Sequence, residues 1–187
     1  ARSSAAKVHS ERTTNGPSSA SRAGSAYEDP HEFLKDGEVD LGTSIMAVTF
    51  DGGVVFGADS RTSTGAYIAN RVSDKITAVE SHLLVCRSGS AADTQALADA
   101  VRTDLLHRHL SKNRPGTVTA AARLLQNLVR GDPDLAASLI CAGYDHVRGR
   151  SCIYSISPGG TAMEEARYAV QGSGSGYIYG YLEAGIQ

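Results

Sequence analysis

Two β-prone runs, Ser44 to Phe50 and Val54 to Ala58, flank Asp51-Gly52-Gly53, a glycine-rich turn of the kind that closes a hairpin. Pairing about a turn near Gly52 sets Thr43 opposite Ser60 or Arg61, so Asp59 falls close to Thr43. A short extended stretch over 66–70 and an apolar strand from Leu83 to Cys86 lead into Ser88-Gly89-Ser90, a tight polar turn. The period then changes. From Ala91 to about Lys112 the apolar residues Leu97, Val101 and Leu105 recur every four positions with charges between them, which predicts a helix with one buried stripe. Pro115 and Gly116 break that pattern, Thr117 is placed to cap a second helix to about Arg130, and Ala136 to Tyr144 and Cys152 to Ile156 read as strands about a glycine-containing turn. Strands, then two helices, then strands, without regular strand–helix alternation, predict an α+β chain with helices packed on antiparallel sheets. There is no internal repeat.

Residues 1–26 stand outside this pattern. They hold seven Ser and six Ala but no Leu, Ile or Phe, so they cannot bury enough apolar area to offset the entropy of ordering, and a disordered arm is expected. An organelle transit peptide would be poor in acids, whereas Glu11 lies in this arm and Glu28, Asp29 and Glu32 follow it. Residues 1–42 carry five of the 18 basic and seven of the 20 acidic side chains, so the remainder is formally neutral. With a net charge of −2 and no apolar run near the ~18 residues that span a bilayer, neither nucleic acid nor membrane is an expected partner. Cys86 and Cys141 sit in apolar stretches and, with Cys152, make an odd number, which suits reduced thiols. The chain starts at Ala1 and stops at Gly185-Ile186-Gln187 just after a helix-like segment begins, so a fragment is expected.

The chemistry is expected where the leader meets the first strand. If the Gly42–Thr43 bond is cut, Thr43 presents a hydroxyl and a free α-amino group together, and an amine with a reference pKa of about 7.7 to 8.0 can serve as base for a threonine nucleophile. A carboxylate at Asp59 could hold a cationic partner such as Lys75, whose charge would lower the pKa of the groups it faces. Spacing alone favours a solvated Asp59–Lys75 ion pair over this arrangement. Other chemistries lack their patterns. The run from Gly172 to Gly176 fails as a phosphate loop because Tyr177 stands at the third-glycine position, and Ser173 and Ser175 do not complete G-x-S-x-G. His31-Glu32 is followed by Lys35 where a zinc protease helix needs histidine. The six histidines show no ligand spacing. No metal and no cofactor are expected.

Beyond these patterns, a family resemblance runs through Gly42-Thr43-Ser44-Ile45-Met46-Ala47-Val48, Asp51-Gly52-Gly53-Val54-Val55 and Gly57-Ala58-Asp59-Ser60-Arg61. It continues at 67–71, Asp74-Lys75 and 86–95, and returns at 172–175 and 177–181. Together these segments resemble the start of a mature proteasome β subunit. The resemblance implies an N-terminal-nucleophile hydrolase fold, a four-layer αββα sandwich of two antiparallel sheets between helices, assembled into heptameric rings with other α and β subunits and served indirectly by regulatory caps. It implies two regions: a propeptide over 1–42, removed by self-cleavage between Gly42 and Thr43, and a hydrolase domain over 43–187, incomplete at its C-terminal end. Carried over residue by residue, Thr43 is the nucleophile, Asp59 and Lys75 tune its protonation, Ser173 joins its hydrogen-bond network, and the Gly89 amide forms the oxyanion hole. Peptide substrates would add as a strand near Ser63 and Ala91. Arg87 would line the pocket for the residue preceding the cut, where a guanidinium fork favours Asp or Glu, as in the caspase-like subunit; the alternative is a structural salt bridge. The substrates would be unfolded and ubiquitin-targeted proteins, in cytoplasm and nucleus.

The pattern also departs from the family. Ser44 and Ser63 stand where threonines are usual, and Gln171 precedes the Gly-Ser-Gly run. Only 145 residues run from Thr43 to Gln187, and a segment bringing a further Asp and Ser to the nucleophile is not among them. A polypeptide of this extent is expected to be unstable alone, with exposed sheet edges. The competing readings are a non-catalytic or unprocessed structural subunit of the same particle, and a free-standing amidohydrolase.

Overall fold

In a computed structural model the described residues are 42–64 and 67–185, and the leader expected over 1–42 lies outside them except for Gly42. The first hairpin pairs β1 (Ile45–Phe50) with β2 (Gly53–Ala58) in the register Ile45↔Ala58 to Phe50↔Gly53, closed through Asp51-Gly52. On its other edge β1 pairs with β10 (Tyr168–Gln171), from Ile45↔Gln171 to Val48↔Tyr168, giving a three-stranded sheet in the order β10-β1-β2. A second, five-stranded antiparallel sheet runs β5 (Ile76–Glu80), β6 (Leu83–Gly89), β7 (Ala137–Asp145), β8 (Arg150–Ser157), β9 (Thr161–Glu165). A short hairpin of β3 (Thr62–Thr64) and β4 (Tyr67–Asn70) stands apart from both.

The predicted helices form as α1 (Ala91–Lys112) and α2 (Val118–Gly131). The Ser90 hydroxyl caps α1 by accepting from the Asp93 amide, Asn113 ends it in the left-handed region, and the Thr117 hydroxyl accepts from the Ala120 amide at 3.0 Å to start α2. Each cap satisfies a donor that an open helix end would leave unpaired.

β7 shows how the layers are held. Its side chains alternate between two apolar clusters, and both are buried. Leu139 and Cys141 join Leu97, Val101, Leu105, Leu125 and Val129 beneath the helices, while Ile140 and Ala142 meet Ile45, Ala47 and Ala169 of the small sheet. A strand buried on both faces reads as a continuous apolar run, which is what Leu139 to Ala142 is. The layers are therefore the α1/α2 pair, the large sheet, the small sheet and, on β10, α3 (Ser175–Gly185). Tyr179 of α3 packs edge-on to Tyr168 of β10, their ring centroids 6.0 Å apart.

Two sequence expectations shift. Ser88 and Gly89 finish β6 rather than form a turn, because Ser88↔Ser138 and Gly89↔Ala137 continue the ladder to β7; the chain leaves the sheet only at Ser90. The extended stretch over 66–70 is β4 from Tyr67 onward, with position 66 outside the described residues. All three cysteines are free and buried.

Candidate active site

Thr43 lies just ahead of β1 at the mouth between the two sheets and is 7% exposed. The hairpin register extends one step further through the Asp59 amide, which donates to the Ser44 carbonyl at 3.1 Å. That step puts the Asp59 carboxylate against the Ser44 amide, which donates to Oδ1 at 2.8 Å, while the Arg61 amide donates to Oδ2 at 3.0 Å.

Lys75, immediately before β5, reaches across from the large sheet, and its side chain is 9% exposed. Its ammonium meets both Asp59 oxygens at 3.0 Å, the Arg61 carbonyl at 2.6 Å and Thr43 Oγ1 at 2.9 Å. Three acceptor groups match the three N–H bonds of an ammonium. The Thr43 hydroxyl therefore accepts from a cation held in place by two other groups, an arrangement that favours the alkoxide over the alcohol. Burial pushes the Asp59 carboxyl up, but the Ser44 amide, the Lys75 ammonium and the Arg61 amide together hold it below its usual range. Asp59 is thus ionised at neutral pH and keeps its charge against Lys75.

The loop after β10 closes the other side. The Thr43 amide donates to Ser173 Oγ at 3.1 Å, and the Gly174 amide donates to the Thr43 carbonyl at 3.2 Å. Gly172 has a φ of +93°, and a Cβ there would stand 2.2 Å from the Thr43 carbonyl oxygen. Only glycine lets that loop come so close. With Gly42 attached, the Thr43 nitrogen is an amide without a basic lone pair, while its hydroxyl already accepts from Lys75.

Of the residues singled out in the sequence, Thr43, Asp59, Lys75 and Ser173 meet through direct hydrogen bonds. Gly42 and Ser63 border, with Thr43, Asp59, Ser173 and Arg71, a cleft of ≈ 730 Å3, behind which Lys75 is buried. Arg87, Gly89 and Ala91 do not line that cleft; they follow one another from β6 into α1. Arg87 joins the site through its backbone, its amide donating to the Lys75 carbonyl at 2.8 Å. Its guanidinium bonds Thr77 and the Asp74 carbonyl and forms no salt bridge among the described residues, so the structural ion pair weighed for it is not what holds it. Gly89 has a φ of +108° and approaches Ala136 so closely that a Cβ would lie 2.0 Å from the carbonyl oxygen.

Sequence reasoning missed the backbone half of the site: the Arg61 carbonyl and amide and the Gly174 amide. A signal existed for one of them, since a carboxylate accepting from the amide two residues on is the Asx turn that Asp59-Ser60-Arg61 spells. Among the described residues no cluster of His, Cys, Asp and Glu could hold a metal ion.

Comparison with known proteins agrees with this architecture. The family described as "Proteasome subunit" matches residues 39–187. The chain belongs to that family, whose members share the N-terminal-nucleophile hydrolase fold and assemble as α and β subunits into the rings of the proteasome core particle. Proteasome subunit beta type-1 of Saccharomyces cerevisiae is 51% identical over 150 residues, covering 80% of this chain and 69% of the yeast protein. Proteasome subunit beta type-6 of Dictyostelium discoideum is 51% identical over 151 residues, with the same coverage, and proteasome subunit beta type-9 of Bos taurus is 44% identical over 154 residues, covering 82% and 69%. By these relatives it is a subunit of β type.

Proposed function

We propose that this β-type subunit is a threonine endopeptidase of the core particle, active once the Gly42–Thr43 bond is cut, and that it cleaves polypeptides after acidic residues. The observation that carries the reading is the buried Lys75 ammonium, 2.9 Å from Thr43 Oγ1 while it is ion-paired to Asp59. Cleavage would turn the Thr43 amide into an α-amine. That amine takes the hydroxyl proton as Oγ1 attacks the substrate carbonyl, and the oxyanion rests on the Gly89 amide, a donor typically worth about 3 kcal/mol to the transition state. Collapse returns the proton to the leaving amine and leaves an ester on Thr43, which water hydrolyses with the same amine as base. Lys75 and Asp59 stay charged throughout and steady the alkoxide.

Ser63 and Ala91 are proposed to pair with the substrate backbone, Ser173 to orient the Thr43 nitrogen, and Arg87 to hold the acidic side chain preceding the cut. Residues 1–42 are proposed as a removable propeptide, and cytoplasm and nucleus as the working compartments, with unfolded and ubiquitin-targeted proteins as substrates. Intact mass and N-terminal sequencing of the subunit recovered from its native particle test the central claim. An N-terminus at Thr43 is expected. A particle-borne subunit that retains residues 1–42 would instead make this a non-catalytic structural member.

A further inference from the structure

Arg87 is half-buried on β6, and the way its guanidinium is anchored suggests which of its N–H groups are left for a ligand. Thr77 stands on the adjacent β5, directly opposite Val85, so by alternation Thr77 and Arg87 share one face of the large sheet. Arg87 Nε donates to Thr77 Oγ1 at 2.8 Å, and Nη2 donates to the carbonyl oxygen of Asp74 at 2.7 Å. Thr77 is 8% exposed, so its hydroxyl is fixed by packing as well as by this bond. A guanidinium carries five N–H groups in one plane, and these two bonds occupy the Nε–Nη2 edge. The Nη1–Nη2 end remains. It can still bind a carboxylate through two parallel hydrogen bonds, and no carboxylate among the described residues pairs with it.

We propose that Thr77 is a positioning residue for substrate selection: together with the Asp74 carbonyl it locks one edge of Arg87 and presents the opposite end to an Asp or Glu side chain preceding the cut. This rests on the reading of Arg87 as the group that selects acidic residues. An arginine free to rotate would lose side-chain entropy on binding each substrate, whereas one already fixed by two bonds loses little. A valine at position 77 keeps the shape and the β preference of threonine but offers no acceptor to Nε, leaving that N–H to swing the guanidinium toward other partners.

The experiment compares particles carrying Thr77→Val, Thr77→Ser and Arg87→Met on fluorogenic peptides that end in Glu or in Leu at the cleaved bond. With Thr77→Val, KM for the Glu peptide is expected to rise about five- to tenfold, part of what one charge-assisted hydrogen bond supplies because the Asp74 carbonyl still holds the guanidinium, with kcat moving less. Thr77→Ser should restore it, and in the Arg87→Met background Thr77→Val should change nothing further on the Glu peptide. Where Thr77→Val does not enter the particle, Thr77→Ala removes the same acceptor at smaller volume. A Glu-to-Leu ratio unmoved by Thr77→Val but collapsed by Arg87→Met overturns the role of Thr77 alone. A ratio unmoved by Arg87→Met overturns the acidic selection on which it rests.

Discussion

Two carboxylates, Asp59 and Asp145, sit at the ends of strands, accept backbone amides and are held below the usual carboxylate range, yet their surroundings differ in kind. Burial raises the Asp145 carboxyl, and the Thr119 amide, the Arg148 amide, the Thr119 hydroxyl and the Val147 amide more than reverse it. Its oxygens close the β7–β8 turn through the Val147 and Arg148 amides at 3.1 and 3.2 Å and grip the first turn of α2 through Thr119. Every partner of Asp145 belongs to the scaffold it ties down. Asp59 begins the same way, with the Ser44 and Arg61 amides, but its third partner is a buried lysine that carries one N–H on to a hydroxyl of another segment. A lowered carboxylate pKa is therefore no mark of a site by itself; what separates the two is whether a cation relays the charge to a buried hydroxyl.

Replacing the proposed nucleophile gives the largest contrast. Thr43→Ala is expected to cut post-acidic cleavage in the assembled particle by about 10^4-fold or more, the scale seen when a hydrolase loses its nucleophile. Asp145→Asn should leave turnover within about threefold. Undiminished acidic-site cleavage by the Thr43→Ala particle would remove Thr43 from the mechanism.

Next is the relay. Lys75→Met keeps the length of the side chain and deletes the charge, and is expected to lower turnover by about 10^2 to 10^3-fold, as loss of a preorganised electrostatic group does. Rings should still assemble. Were turnover to persist, the Lys75–Asp59 pair would be a scaffold tie like that at Asp145, and the contrast between the two ends would collapse.

How much of this contrast was legible in the sequence depends on how far apart the interacting residues lie. The β1–β2 hairpin is local, so its register and the nearness of Asp59 to Thr43 follow from one glycine-rich turn. Both helices follow from periodicity, and the Thr117 cap of α2 from a hydroxyl after Pro115-Gly116. Strands β3, β5, β9 and β10 escaped because they are three to five residues long, too short to show a period of two, and β10 in addition exists through pairing with the distant β1. Lys75 could be suggested as a cation for Asp59, but its place beside Thr43 came from family resemblance, since nothing in spacing says that a side chain ahead of β5 crosses to Thr43. The Asp145 network escaped altogether: no motif links Thr119 to a turn 26 positions later.

Asp145→Asn should show where that network acts. The amide side chain keeps one acceptor and loses the charge, and about 1 to 3 kcal/mol of local stability is expected to go with it. Hydrogen exchange in the assembled particle reads this directly, as faster exchange of the Val147 and Arg148 amides with no change at Ser44. Equal exchange at all three positions would mean that the turn is held by the strand ladder alone.

The smallest effect is its pH dependence, and its sign follows from the direction of the shift. A carboxyl held lower in the folded chain than its unfolded value of about 3.9 gives stability that is fully present above that value and is lost as pH falls through the folded one. The difference in Val147 and Arg148 protection between the native chain and Asp145→Asn should then stay constant from about pH 8 to pH 5 and begin to shrink below about pH 4, as the carboxyl gains its proton and comes to resemble the amide. Asp59 obeys the same sign, so the charge against Lys75 is also intact across the neutral range. A protection difference that grew on acidification would mean that Asp145 is held protonated in the fold, and the likeness from which the two carboxylates were compared would fail.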